Sequence, residues 1–198
     1  MNLYAWSDYT AVIDTSKGEI RIDLFEIHAP KTVNNFAFLS EEGFYDGLTF
    51  HRVIEDFVIQ GGDPLGDGTG GPGYTFDDEI SPKYSFDEPY IVAMANSGSN
   101  SNGSQFFITT KDSDADYLTG DYTIFGKVIS GQEVVDSIEK VSTNEKNKPV
   151  EDILIKSVSI EKNFSMNILF SRYWWVLLFV FVILTIVFII LYLKNSKK

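Results

Sequence analysis

Several short runs of this 198-residue chain have residue types and spacings that could do chemistry. Gly66-Asp67-Gly68-Thr69-Gly70-Gly71 has the G-x-G-x-x-G spacing that lets a backbone approach a pyrophosphate. That chemistry needs a strand before the glycines and a helix after them, so that the phosphate meets a helix N-terminus. Here Pro72-Gly73 and an acidic run follow, and Asp63, Asp67, Asp77, Asp78 and Glu79 would repel phosphate. The better reading is a tight loop whose backbone lines a groove. Asp112-x-Asp114-x-Asp116 opens like a calcium loop, but the sixth position holds Tyr117 instead of Gly and the twelfth Thr123 instead of Glu. An acidic surface loop is expected there. His51 could act as an acid or base, although a strand histidine packed among Phe50, Arg52 and Val53 is ordinarily structural. No G-x-S-x-G elbow is present. The absence of cysteine excludes a thiol nucleophile, a disulfide scaffold and a Cys-ligated zinc, and two histidines are too few for an all-histidine metal site. No metal and no cofactor are expected.

Two further tracts are more informative. Phe50-His51-Arg52-Val53-Ile54 and Phe57-Val58-Ile59-Gln60-Gly61-Gly62-Asp63 place an Arg and a Gln beside Phe and Val on what reads as one strand pair. By composition alone this is an amphipathic hairpin. Met94-Ala95-Asn96-Ser97-Gly98-Ser99-Asn100-Ser101-Asn102-Gly103-Ser104-Gln105-Phe106-Phe107 looks in isolation like a polar turn between strands.

The elements that must position these tracts follow from hydrophobic periodicity. Ala11–Ile13 and Glu19–Leu24 read as a hairpin around Ser16-Lys17-Gly18, with Ile20, Ile22 and Leu24 on one face. Pro30 opens a helix whose stripe is Val33, Phe36, Ala37 and Leu39, and Gly43 stops it. Strands are expected at Leu48–Val53, Phe57–Gln60, Ile91–Ala95, Gln105–Thr109, Ile124–Ile129 and Ile153–Ile160. A second short helix is expected at Glu133–Glu139. Many short strands with Gly-rich turns and two helices predict a closed barrel or a sandwich. Residues 61–90 and 96–103 lack a regular pattern, and loops of that length in a compact domain are usually functional.

Charge separates the ends of the chain. Residues 1–171 hold 12 of the 16 cations and all 28 acids, a net charge of −16. The overall −12 argues against nucleic acid, whose phosphates call for a basic surface. Tyr173–Leu193 is 21 residues without a charge. As a helix it would span about 30 Å, the thickness of a bilayer core. Tyr173, Trp174, Trp175 and Tyr192 stand at its ends, where aromatic rings prefer the membrane interface, and Arg172, Lys194, Lys197 and Lys198 flank it. The N-terminus shows neither a basic region nor an apolar run, so it does not read as a signal peptide. The expectation is a single-pass protein held by a C-terminal anchor, with its main domain in the cytoplasm. The flanking charges lean weakly the other way.

Taken together and in order, F-H-R-V-I, F-V-I-Q-G-G-D, G-T-G-G, M-A-N-S-G-S-N-S-N-G-S-Q-F-F and F-G-K-V resemble the cyclophilins, the peptidyl-prolyl cis–trans isomerase family. The likeness runs from about Tyr9 to Ile160. It implies an eight-stranded antiparallel closed barrel capped by two α-helices, with the active groove on the outer barrel surface. It divides the chain into an N-terminal extension (1–8), an isomerase domain (9–162), a tether (163–171) and the anchor with its basic tail (172–198). It also implies an isomerase acting on X–Pro bonds of peptides and unfolded proteins, with a monomeric catalytic domain. Arg52 matches the catalytic Arg of the family, and Gln60 stands with it as a residue that holds the substrate backbone. Phe57, Val58, Phe107 and Leu118 match the apolar pocket for the proline ring. Asn96 matches a backbone-holding residue, and Ala95, Ser97 and Gln105 line the same groove. Val58 replaces the usual Met, Tyr117 the Trp of cyclosporin-sensitive members and Tyr122 the usual His. These changes keep apolar or aromatic walls, so activity should survive while inhibitor affinity and peptide preference change. The alternative is a module that binds proline-containing segments near a membrane with little turnover. Arg52 favours the enzyme, because a binder has no need of that donor.

Overall fold

The computed structural model describes residues 7–164, Val176 and 178–185. Asp8–Asn163 form one compact unit, and Phe164–Lys198 belong to a second. In order along the chain come strands β1 (Ser7–Thr15) and β2 (Gly18–Leu24), helix α1 (Pro30–Glu41), strands β3 (Arg52–Ile54), β4 (Val58–Gly61), β5 (Ile91–Met94), β6 (Phe106–Thr109) and β7 (Ile124–Ser130), helix α2 (Gln132–Glu139) and strand β8 (Ile155–Phe164). A single 3-10 turn, Asp116–Leu118, precedes β7.

The strands form one sheet in the order β3-β4-β6-β5-β7-β2-β1-β8, and the registers resolved between neighbours are antiparallel. The fold is mainly β, as expected, but closure differs from the expectation. The sheet is an open, curled half-barrel, because β3 and β8 are not paired as strands. Near the gap the chain makes one isolated bridge, Thr49 to Leu154, supported by Gly47 N–H to Ile155 C=O at 2.8 Å and Phe50 N–H to Ile153 C=O at 3.0 Å. The expected strand Leu48–Val53 accordingly shrinks to β3, which begins at Arg52. The physical reason is edge competition: Val53 N–H donates to Asn147 C=O at 2.8 Å, so a loop already occupies an edge of β3. β8 continues to Phe164, into the segment read as a tether.

Period-two alternation gives the sheet two apolar faces. Ile59 of β4, Val92 and Met94 of β5, Phe106 and Ile108 of β6 and Phe125 of β7 point into the main core. There Phe36 of α1 meets Tyr45, Phe106 and Phe125 with ring centroids 5.1, 5.5 and 5.3 Å apart. Val33 and Phe36 from α1, and Val134, Val135 and Ile138 from α2, lay both helices on this core. The alternate residues Val58, Ile91, Ala93, Phe107 and Ile124 form a second buried cluster on the other face, covered by Phe86 and Ala115. An outer face that is apolar on several adjacent strands has to be covered, and loop residues rather than a helix provide the cover.

α1 begins at Pro30 without a side-chain cap from its own N-cap residue. Glu79, from the long loop, takes that place: its carboxylate accepts Lys31 N–H at 3.1 Å, Thr32 N–H at 2.8 Å and the Thr32 hydroxyl at 2.9 Å. A carboxylate at a helix N-terminus satisfies orphan donors and complements the helix dipole. The same loop is tied to the 96–103 loop. Asp78 N–H donates to Asn100 Oδ1 at 3.0 Å, Asn100 N–H returns to Asp78 Oδ2 at 2.8 Å, and the buried Asn102 donates to Asp78 Oδ1 at 2.8 Å.

Val176 and residues 178–185 are helical, and the apolar side chains of 178–184 are exposed. The remainder of Tyr173–Leu193 lies outside the described residues. Among the described residues no helix is long and apolar enough to cross a membrane.

Candidate active site

The β3–β4 hairpin and β6 carry the polar core of the site. In the hairpin register Arg52 faces Gln60, and across the next ladder Gln60 faces Phe107. The turn between β3 and β4 puts Asp56 at φ 55°, a left-handed conformation unusual for a residue with a side chain. Glu139, the last residue of α2 and itself buried, accepts Asp56 N–H at 2.7 Å and pins that turn. Phe57, the next residue, is thereby fixed at the rim of a cavity.

That cavity has a volume of about 310 Å³ and is lined by Arg52, Phe57, Val58, Gln60, Ala95, Asn96, Phe107, Tyr117, Leu118 and Tyr122. Its apolar floor rests on the outer cluster. Phe107 stacks on Phe86 at 5.7 Å and meets Tyr122 edge-on at 5.6 Å, while Tyr117 stacks on Phe57 at 6.1 Å. A longer groove of about 920 Å³ adjoins it, sharing Gln60, Ala95 and Asn96 and adding Ser97 and Gln105. All twelve residues singled out from the sequence thus line two adjoining depressions. Gly68, Gly70 and Gly71 line the longer one, as expected of a loop whose backbone borders a groove.

The hydrogen bonds of the site run in one direction. Arg52 Nη1 donates to Gln60 Oε1 at 3.1 Å, and Gln60 Nε2 donates to Gln105 Oε1 at 3.0 Å. Gln105 Nε2 donates to Gly68 C=O at 3.1 Å and to Gly70 C=O at 2.9 Å. A guanidinium can only donate and a carbonyl can only accept, so both carboxamides between them are held in a single orientation. In Asn96, Oδ1 accepts Gly98 N–H at 3.2 Å, whereas Nδ2 has no partner within the protein. That nitrogen is itself buried, while the residue as a whole contributes to the cavity wall.

His51 lines neither cavity. It is buried, and neither ring nitrogen has a hydrogen-bond partner in the protein. Burial lowers its pKa below the ordinary histidine value; the charges of Arg52 and Lys148 act in the same direction, while Asp63 and Asp67 oppose it. Of Asp112, Asp114 and Asp116, only Asp116 lies in the 3-10 turn that presents Tyr117 and Leu118 to the cavity. Among the described residues no three His, Cys, Asp or Glu side chains converge as metal ligands. The backbone N–H groups of Leu65, Asp67 and Gly68 in the Gly-rich loop are taken by the Asp63 carboxylate, at 2.8, 3.0 and 2.6 Å. That cradle is filled by the protein itself. Sequence reasoning missed Glu139, Glu79 and the organising role of Asp63, each of which acts on backbone groups that residue types do not announce.

The comparisons with known proteins point the same way. A sequence profile described as "Cyclophilin type peptidyl-prolyl cis-trans isomerase/CLD" matches residues 10–160. Peptidyl-prolyl cis-trans isomerase B of Streptomyces anulatus is 48% identical over 169 residues, covering 76% of this chain and 95% of that protein. Peptidyl-prolyl cis-trans isomerase A of Mycobacterium tuberculosis is 46% identical over 168 residues, covering 76% and 91%. A crystal structure of a Cryptosporidium parvum cyclophilin type peptidyl-prolyl cis-trans isomerase superposes with a TM-score of 0.75 at 41% identity, covering 79% of this chain and 99% of that one. With a family match over most of its length and relatives that it covers almost end to end, the chain belongs to the cyclophilin-type peptidyl-prolyl cis–trans isomerases.

Proposed function

We propose that this isomerase acts on X–Pro bonds of peptides and unfolded proteins in the Arg52 cavity, assisting their folding, and that residues 173–193 hold it at a membrane. The observation that carries the first part is the pairing of one tethered guanidinium with an apolar pocket in a single cavity. Rotation about an X–Pro bond must cross a barrier of roughly 18–20 kcal/mol set by amide resonance, although the two end states differ little. A catalyst therefore needs no nucleophile. It has to weaken the resonance and hold the twisted amide. Phe57, Val58, Phe107 and Leu118 would hold the proline ring, and Gln60 and Asn96 would hold the substrate backbone. Arg52, with one arm on Gln60, would donate toward the prolyl nitrogen as its lone pair localises, an electrostatic stabilisation that grows toward the transition state. Arginine suits the task because its planar donor fork stays charged. In support, the Cryptosporidium parvum relative has also been crystallised in the presence of the dipeptide Ala-Pro.

The membrane part rests on the length, the aromatic ends and the basic flanks of residues 173–193. The isomerase domain would then face the cytoplasm, the −16 charge of residues 1–171 holding it off an anionic leaflet. A protease-coupled peptide isomerisation assay on the wild type and Arg52→Ala tests the catalytic reading. Arg52→Ala should lose on the order of 10²–10³ in kcat/KM, the usual loss for one electrostatic donor. Tight peptide binding without turnover in the wild type would make the protein a proline-segment binding module. Digestion of the domain by protease added to intact cells would overturn the cytoplasmic placement.

A further inference from the structure

Asp63 takes no part in the mechanism proposed above, yet it is only 1% exposed. It follows β4 three residues after Gln60, immediately beyond Gly62. That glycine sits at φ 83°, and a Cβ on it would stand 2.4 Å from Ser104 C=O. The carboxylate faces backbone donors on both oxygens: Oδ1 accepts from Leu65, and Oδ2 from Asp67 and Gly68. The loop is wound round it so tightly that a Cβ at Gly70 would lie 2.0 Å from Asp63 Oδ1. Since all three partners donate, only a side chain that accepts on both oxygens satisfies them. A carboxamide would turn an N–H toward an N–H.

The winding has an outward consequence. With their N–H groups held inward, Gly68 and its neighbours present the Gly68 and Gly70 carbonyls to Gln105. Gln105 and Gln60 then hand this single orientation on to Arg52. We propose that Asp63 is a positioning residue for the reaction, fixing the two loop carbonyls and, through Gln105 and Gln60, the donor direction of the Arg52 guanidinium. This rests on the catalytic reading of Arg52 given above, and it assigns a purpose to the Gly-rich tract that the reaction otherwise leaves unused.

The test uses the full chain in detergent. Asp63→Asn and Gly70→Ala are made singly and combined with Gln105→Ala, alongside Arg52→Ala. Turnover of an X–Pro peptide is measured together with the side-chain amide resonances of Gln60 and Gln105 and the Nε resonance of Arg52. Gly70→Ala keeps the carboxylate and pushes the loop off it, so it carries the test if Asp63→Asn does not fold. Each single variant should lose about 10- to 100-fold in kcat, as expected when a reacting group is misplaced from a distance. All three sets of resonances should move. In the Gln105→Ala background either change should cost less than about 2-fold more, because coupled residues do not add. A merely structural role would leave the losses multiplicative and the Arg52 resonance in place, and that result would overturn the proposal. So would folded variants with wild-type turnover while Arg52→Ala is inactive. If Arg52→Ala itself keeps wild-type turnover, it is the catalytic reading that fails.

Discussion

Gln60→Glu is nearly isosteric, and its effect follows from the donor sequence of the site. In the wild type Gln60 accepts from Arg52 at 3.1 Å and donates to Gln105 at 3.0 Å. The new carboxylate can still accept from Arg52 but cannot donate, so it confronts Gln105 Oε1 with a second acceptor. If Gln105 stays, an acceptor is left unpaired at a cost of about 1–3 kcal/mol. If it flips, it gives up two bonds to Gly68 and Gly70, at about 0.5–1.5 kcal/mol each, a similar sum. The compensating ion pair with Arg52 is partly exposed and contributes only about 0–1 kcal/mol. The net loss of stability is therefore about 1–2 kcal/mol, visible as a lower urea midpoint. Catalysis should suffer more. The carboxylate competes with the prolyl nitrogen for the guanidinium donors, and losing most of one preorganised donor costs about 3 kcal/mol, or on the order of 10² in kcat/KM. Gln60→Leu should lose less activity, because it releases the guanidinium without capturing it. The assay is protease-coupled isomerisation of a proline tetrapeptide beside urea unfolding. Activity within about 3-fold of wild type in a folded Gln60→Glu variant, far short of that loss, would refute the reasoning.

Because the proposed reaction transfers no proton, turnover should be nearly flat between about pH 6 and 8, without the bell shape of acid–base catalysis; a steep limb that vanishes in His51→Gln would make His51 a participant. Stability should behave differently. Burial lowers the pKa of His51, so on acidification the unfolded chain takes up this proton first, near pH 6.5, and stability is lost from there downward. Melting between pH 7 and 5 should therefore fall more steeply for wild type than for His51→Gln, and parallel curves would count against it. Tyr117 is 68% exposed and cannot place a donor where an indole N–H would. Cyclosporin should bind weakly, and Tyr117→Trp should tighten it by roughly 5- to 150-fold, as one such contact is worth about 1–3 kcal/mol; nanomolar inhibition of the unmodified chain contradicts this. A chain ending at Asn163, the end of the first compact unit, should be soluble, monomeric and fully active, while the full chain should partition into membranes and resist alkaline extraction. Release of the full chain by alkali would remove the anchor.

Local periodicity carried much of this molecule. The alternation of Ile20, Ile22 and Leu24, the stripe of Val33 and Phe36 and the Pro30 start of α1 are contacts between residues two to four apart, which a sequence exposes directly. The family resemblance picked out twelve of the residues that line the two depressions, and the uncharged run 173–193 is plain in the sequence. What no local pattern contains is the identity of partners far along the chain. Glu79 caps a helix 47 to 48 residues before it, Gln105 rests on carbonyls 35 and 37 residues away, and Glu139 pins a turn 83 residues upstream. The open gap between β3 and β8 is of the same kind, since Asn147 C=O takes the Val53 N–H at the edge of β3. In each case the partner on one side is a backbone N–H or C=O. Every residue offers a backbone C=O and every residue but proline an N–H, so residue type gives no sign of which one will be used. Only when the sheet curls and the loops fold back over its outer face do particular carboxylates and carboxamides meet particular peptide groups, and that meeting sets the direction of Arg52.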